Sequence, residues 1–209
     1  MEYFTIDGKG EATYEISRSI FIANVMGIET FDEGMEFVKS VSKKYSDATH
    51  NCYAIIVKNG EQKFSDNGEP QGTAGMPILQ VLKKKNLTNV ACVITRYFGG
   101  IKLGAGGLVN AYTKSTVLGV ENAKIINKKL SSVLKVNVDY TMLSTLNGVV
   151  SSYNLPIIDT EYGDSVKLTF AVPTTKESDF LSTLTEKSNG KITATKINSQ
   201  RRDLRRYIL

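Results

Sequence analysis

The sequence predicts an α+β protein built from two small domains. Its 209 residues exceed a mean-sized domain, for which about 150 residues is the usual prior. Hydrophobic residues make up 41%, charged residues 22%, and prolines number only four, so the chain can bury a real core and wholesale disorder is excluded. Near residue 130 the pattern changes, from strands and helices interrupted by two glycine-rich loops to a compact alternation of strands and helices. A boundary at 128–132, without a long linker or an internal repeat, divides the chain into 1–129 and 130–209.

From Glu11 to Met26 the β-branched and aromatic residues Thr13, Tyr14, Ile16, Ile20, Phe21, Ile22 and Val25 predict two strands. Thr30-Phe-Asp-Glu33 is a capping box, and Phe31, Met35, Val38, Val41 and Tyr45 recur at helical spacing, so a helix is expected over 31–45. Cys52–Lys58 reads as a buried strand and the polar, glycine-bearing run to Gly75 as a loop. Pro77 suits a first helical turn, Ile78, Leu79, Val81 and Leu82 give an apolar face, and Lys83–Lys85 fall where cations favour the helix dipole. Val90–Thr95 is a second buried strand, Phe98–Gly107 a second glycine-rich loop, and 108–123 a helix.

The second half reads as strand (Ser132–Val138), helix (Met142–Tyr153), strand (Pro156–Glu161), a Gly163-Asp164 turn and strand (Ser165–Val172). Thr174-Thr-Lys-Glu177 is a second capping box, Phe180, Leu181 and Leu184 follow as a stripe, and Lys191–Asn198 closes as strand. The order βαββαβ is the ferredoxin-like unit.

The formal net charge is +5, a hint of an anionic partner that says nothing about location. By segment, residues 1–69 hold seven basic and twelve acidic side chains, whereas 70–120 hold six basic and no acidic ones. Residues 121–195 balance at eight each, and 196–209 carry five basic residues against Asp203. Two local features therefore carry the charge, the acid-free stretch and the terminal Arg201–Arg206 cluster. Cys52 and Cys92 each sit in an apolar run, where buried reduced thiols belong. The N-terminus lacks a signal-peptide pattern and no apolar stretch approaches the ~18 residues of a spanning helix, so a cytoplasmic protein without membrane contact is expected.

Two constellations carry chemistry. The first runs from Asp47-Ala-Thr-His50-Asn-Cys52 to Asp66-Asn-Gly-Glu69-Pro-Gln-Gly72-Thr73. His50 reads either as a general base or ligand oriented by carboxylates or as a strand-start residue beside acids that satisfy loop amides. The cysteines stand forty residues apart with no paired spacing, so neither zinc nor another metal is expected. No G-x-S-x-G elbow supplies a nucleophile, and no catalytic residue is assigned.

The second constellation, Thr95-Arg96-Tyr97-Phe98-Gly99-Gly100-Ile-Lys102-Leu-Gly104-Ala-Gly106-Gly107, is an anion site in outline: a strand end, a glycine loop and a helix start. Arg96 and Lys102 supply counter-charge, Gly104, Gly106 and Gly107 allow close backbone approach, and Tyr97 and Phe98 suit base stacking. The alternative is glycines that serve turns and packing only. A P-loop is excluded by the missing Lys-Ser/Thr, and a dinucleotide fingerprint by Val109 in place of its third glycine.

The strings DATHNCY (47–53), SDNGEPQGTAG (65–75) and TRYFGGIKLGAGGLVNAY (95–112) resemble the IMPACT family, in its bacterial YigZ-like branch. The resemblance implies an N-terminal domain over 1–129 similar to the second domain of ribosomal protein five of the small subunit, and a C-terminal domain similar to elongation factor G domain five. It also implies a link to translational regulation, carried by a eukaryotic branch that acts by protein binding, and no established catalytic activity; no cofactor is expected. The chain departs from the family in having Asn67 beside Asp66, where two acids are common, which weakens a metal or acid–base role for that loop. Asn110, where the family has an arginine, removes a positive charge. The expected partners are RNA or the ribosome, or a translation-related protein, held at Arg96, Tyr97, Lys102, Gly104, Gly106 and Gly107, with Lys83–Lys85 and the arginine tail also facing phosphate. His50, Asp66, Glu69 and Thr73 are second-loop candidates. A phosphorylated or nucleotide small molecule is the alternative ligand, and a protein-interaction module the third reading.

Overall fold

The computed structural model describes residues 2–202, with side chains for 2–199. The chain folds as two units, one of Tyr3–Ile126 and one formed by Glu2 with the residues from Asn127 onward.

The first unit opens with β1 (Tyr3–Asp7), a short strand in an aromatic and β-branched run that periodicity over 11–26 does not reach. A five-stranded antiparallel sheet follows, in the order β2-β3-β6-β4-β5, from β2 (Lys9–Ile16), β3 (Ser19–Gly27), β4 (His50–Ile56), β5 (Gln62–Ser65) and β6 (Val90–Tyr97). The central strand β6 is apolar almost throughout because both of its faces are covered. Val90, Cys92 and Ile94 enter one core, while Ala91 and Val93 enter the other.

Helix α1 (Phe31–Lys44) closes the Ala91 side. Its Thr30 Oγ1 accepts from the Glu33 amide, and Glu33 Oε2 reaches back to the Glu29 amide, so the predicted cap forms with the return bond one residue earlier. Helices α2 (Gly75–Lys84) and α3 (Gly104–Glu121) cover the opposite face through Ile78, Leu79, Leu82, Leu108, Ala111 and Tyr112.

Two expectations for this unit are corrected. The run before Gly75 contains β5, an edge strand whose exposed Gln62, Lys63 and Phe64 hide the alternation that marks half-buried strands. The glycine run 104–107 belongs to the first turn of α3, so the second loop ends at Leu103.

The second unit contains most of β7 (Lys124–Val138), then α4 (Tyr140–Ser152), β8 (Ile157–Tyr162), β9 (Val166–Pro173), a 3-10 turn (Thr174–Lys176), α5 (Glu177–Lys187) and β10 (Ala194–Arg202). The strands pair antiparallel as β10-β7-β9-β8, the ferredoxin-like order. Both helices share one core, where Leu146, Val149, Phe180 and Leu184 meet Leu134, Val136, Phe170 and Val172.

The second capping box does not form. Thr174 Oγ1 donates to the Leu130 carbonyl, and the Glu177 carboxylate accepts from Ser132 Oγ at 2.6 Å and from Lys196 Nζ at 3.0 Å. Partners from β7 and β10 displace the local one. Of the arginine tail, Arg201 and Arg202 end β10 by their backbone, and the rest lies outside the described residues.

Candidate functional site

The chemistry-bearing residues of the first unit meet at one end of its sheet. The Ile16–Ser19 hairpin turn, the first residue of β4, the last of β6, the 66–74 loop and the starts of α2 and α3 are brought together by the antiparallel register: His50 pairs with Arg96, and Ile20 with Tyr97.

Inside this end lies a buried charged cluster. Arg96 Nη1 donates to Glu69 Oε1 at 2.7 Å, with side-chain exposures of only 6% and 3%. The Tyr112 hydroxyl, carried by α3, donates to the same Glu69 oxygen at 2.8 Å. The Arg96 guanidinium carbon sits 5.4 Å from the ring centroids of both Phe21 and Phe98. The expectation that Arg96 faces phosphate therefore meets a guanidinium already held by an anion of the chain itself. The arginine ties β6 to the 66–74 loop, behind the surface.

His50 Nδ1 lies 2.8 Å from the Asn67 carbonyl, which can only accept, so the proton of the neutral ring belongs on Nδ1. That leaves Nε2 facing Glu69 Oε2 at 3.9 Å, with the imidazole 19% exposed. Asp66 is fully engaged: Oδ1 accepts from the Ala74 and Gly75 amides and Oδ2 from Gly72. It caps the N-terminus of α2 from outside the helix, where its charge favours the dipole. Thr73 Oγ1 donates to the Pro70 carbonyl at 2.7 Å and closes the same loop.

Cys52 Sγ is within 2.9 Å of the Asp66 carbonyl and 3.3 Å of the Tyr112 hydroxyl, and burial pushes its thiol up to about 12. Burial likewise raises Tyr112, whose ionisation would set a second anion beside Glu69. Apart from Arg96 Nε, which has no hydrogen-bond partner among the described residues, the polar groups here are occupied by one another, which makes the cluster a staple that orders the loops above it.

The exposed rim is different. Tyr97 donates to Asp47 at 2.9 Å, a bond that raises its phenol above the usual value. Phe98 is 46% exposed, and Ile101 and Lys102 beside it are exposed as well. Gly99 packs directly on the backbone of Arg18 and Ser19, leaving no room for a Cβ, and so seats the β2–β3 turn against the glycine loop. Helix α3 then begins with no side-chain cap and no acid in its first turn. Gly104 there has φ +70°, which a Cβ would strain, whereas a Cβ at Gly106 would meet open space.

Two features escape sequence reasoning. Arg18 joins the rim as an exposed turn residue, although it lies in the acidic segment 1–69 and carries no local signal. Lys83–Lys85 leave it. Lys85 Nζ is 3.5 Å from Glu121 at the far end of α3, and eighteen helical residues put about 27 Å between that end and Gly104. The acid-free stretch thus does not form one positive face.

The fold and this site define a two-domain mixed α/β protein whose N-terminal unit presents a glycine-rich helix start over a buried Arg–Glu pair. Residues 17–120 match the family model described as the Impact N-terminal domain, and residues 136–191 match a domain of unknown function, DUF1949. The chain belongs to the IMPACT family. It is 38% identical to IMPACT family member YvyE of Bacillus subtilis, over 90% of this chain and 88% of that protein. Against IMPACT family member YigZ of Escherichia coli the identity is 31%, over 85% and 89% of the two chains. Protein IMPACT of Rattus norvegicus is 34% identical over 42% of this chain and 29% of its own. A crystal structure described as that of a hypothetical protein aligns with 94% of this chain and 98% of its own, with a TM-score of 0.61 and 28% identity. Among the described residues no helix is long and apolar enough to cross a membrane.

Proposed function

We propose that this protein is a cytoplasmic, translation-associated binding protein that contacts RNA, free or on the ribosome, through the rim formed by Arg18, Tyr97, Phe98, Lys102 and the first turn of α3. The observation that carries the reading is the start of α3, an eighteen-residue helix with no side-chain cap and no first-turn acid, beside exposed Phe98 and Lys102. Its free amides and dipole favour an anion, Lys102 and Arg18 add counter-charge, and Phe98 offers a face for an unstacked base. Gly104, Gly106 and Gly107 let a phosphate approach the backbone, and Arg96 acts from below by holding the loop. The link of the eukaryotic branch to translational regulation supports the translation-associated part of this reading; that branch acts by protein binding, so a protein partner is the second reading.

The interior favours binding over catalysis, because Asp66, Glu69 and His50 are engaged with neighbouring groups. Fluorescence anisotropy with a single-stranded RNA, and co-sedimentation with ribosomes, test the proposal. Affinity is expected to fall with salt at a log–log slope of about −0.7 per phosphate neutralised. Lys102→Gln should flatten that slope, and Phe98→Ala should weaken binding without flattening it. Undetectable binding to both, or binding that survives high salt, would overturn the RNA reading and direct the search to a protein partner.

A further inference from the structure

We propose that the groove between α1 and the β2–β3 hairpin binds a small carboxylate with an aliphatic body. Helix α1 covers β4 and β6 on its face of the sheet, where Phe37, Val38 and Val41 meet Ile55, Ala91 and Val93. The neighbouring residues of β2 and β3 are left beside it, and the resulting cavity measures about 230 Å³. That is smaller than the pockets of about 300–1,000 Å³ that take drug-sized molecules.

The floor of the groove holds an unmet need. Asn24, on β3 opposite Glu11, lines the cavity and is only 8% exposed, yet its Nδ2 has no hydrogen-bond partner among the described residues. Buried amide donors are normally satisfied, and an unpaired one calls for a missing acceptor. Lys9 lines the same cavity with its ammonium 5.9 Å above the Phe37 ring, and Lys44 stands 3.7 Å from Glu11. One amide donor and the Lys9 ammonium fit a carboxylate, while the Phe37 ring and Val41 offer an apolar wall. The Glu11 carboxylate disfavours a multiply charged phosphate and suits an α-ammonium group, so the carboxylate can belong to a simple branched acid or to an amino acid. The groove lies on the opposite face of the sheet from α3, so this inference stands apart from the proposed RNA contact.

Titration of the full chain with 4-methylpentanoate, leucine and isopentylamine, followed by amide NMR shifts, tests it. Both carboxylates are expected to shift the amides of Asn24, Phe37 and Val41 with millimolar affinity, and the amine, which has only Glu11 to answer its charge and competes there with Lys44, to bind at least tenfold more weakly. Tighter binding of leucine assigns the ligand to the amino acids, and tighter binding of 4-methylpentanoate to simple acids. Asn24→Leu should weaken binding at least tenfold while leaving the melting temperature unchanged or raised, since an apolar side chain replaces an unpaired polar one. Lys9→Met, at an exposed position, should weaken binding with the fold intact. No shift of these amides up to about 10 mM ligand, equal response to the amine, or undiminished binding by both variants would overturn the proposal.

Discussion

Gly106→Glu separates the stability of the α3 start from its proposed use as an anion contact. Gly106 is the third residue of the helix, its φ is not left-handed, and a Cβ there meets nothing within 4 Å. Replacing glycine in a helix by a better helix former gains about 0.5 kcal/mol, and an acid in an uncapped first turn adds about 0.3–1 kcal/mol. The sum, about 1 kcal/mol, corresponds to a melting temperature higher by about 4 °C for a unit of this size. The same carboxylate satisfies the free amides and places a negative charge beside Lys102. RNA affinity at low salt should fall at least tenfold, and the salt slope should shrink by about 0.7, one phosphate contact. Gly106→Gln is the control, gaining the propensity without the charge and keeping most of the binding. Thermal melts and anisotropy titrations across salt concentrations read both quantities. A Gly106→Glu protein that melts higher yet binds RNA with unchanged affinity and slope would refute the assignment of α3 as the contact.

The remaining predictions concern the interior and the second unit. Glu69→Ala strips the buried Arg96 of its anion and should cost about 3–5 kcal/mol, read as a lower urea midpoint with the slope retained. The thiols of Cys52 and Cys92, both pushed up to about 12 by burial, should react with a thiol reagent only as the chain unfolds, so modification in native buffer should track global unfolding. In the second unit the Ser132 hydroxyl, with Lys196 behind it, holds the Glu177 carboxyl below its ordinary 4.5. Because the folded value is the lower one, its stabilisation is full above that ordinary value and disappears as pH falls through the folded value. Glu177→Gln should flatten the acid limb of stability against pH in that window, as measured by urea midpoints at a series of pH values.

Much of the architecture is legible in the sequence because it is written in local pattern. The apolar run at 90–95 announces β6, and Thr30 with Glu33 announces α1, since neighbours in sequence are the groups that interact. What escapes is settled by distant partners. Thr174 and Glu177 have the spacing of a cap, but Ser132 and Lys196 arrive from other strands and take the carboxylate. Gly104–Gly107 reads as loop because glycine is a poor helix former, yet Leu103 and Leu108 pack on the core and carry the helix start through it. The candidate site shows the same division. The strings containing His50, Glu69 and Arg96 are recognisable in one dimension, whereas their burial against one another appears only when β4 and β6 pair in register. A segmental charge sum also cannot tell that Lys83–Lys85 and Lys102 lie at opposite ends of α3.

The Ser17–Arg18 turn shows what such a rim implies for anyone redesigning the protein. Both residues adopt left-handed φ, 49° and 61°, in a two-residue hairpin that Asn-Gly would close with less strain. A stability-guided redesign would choose that replacement first, and in doing so would delete a cation from the rim while every measure of folding improved. On the proposed RNA contact, thermal resistance is a misleading guide at this hairpin, and libraries built on the scaffold would keep position 18 basic while optimising elsewhere.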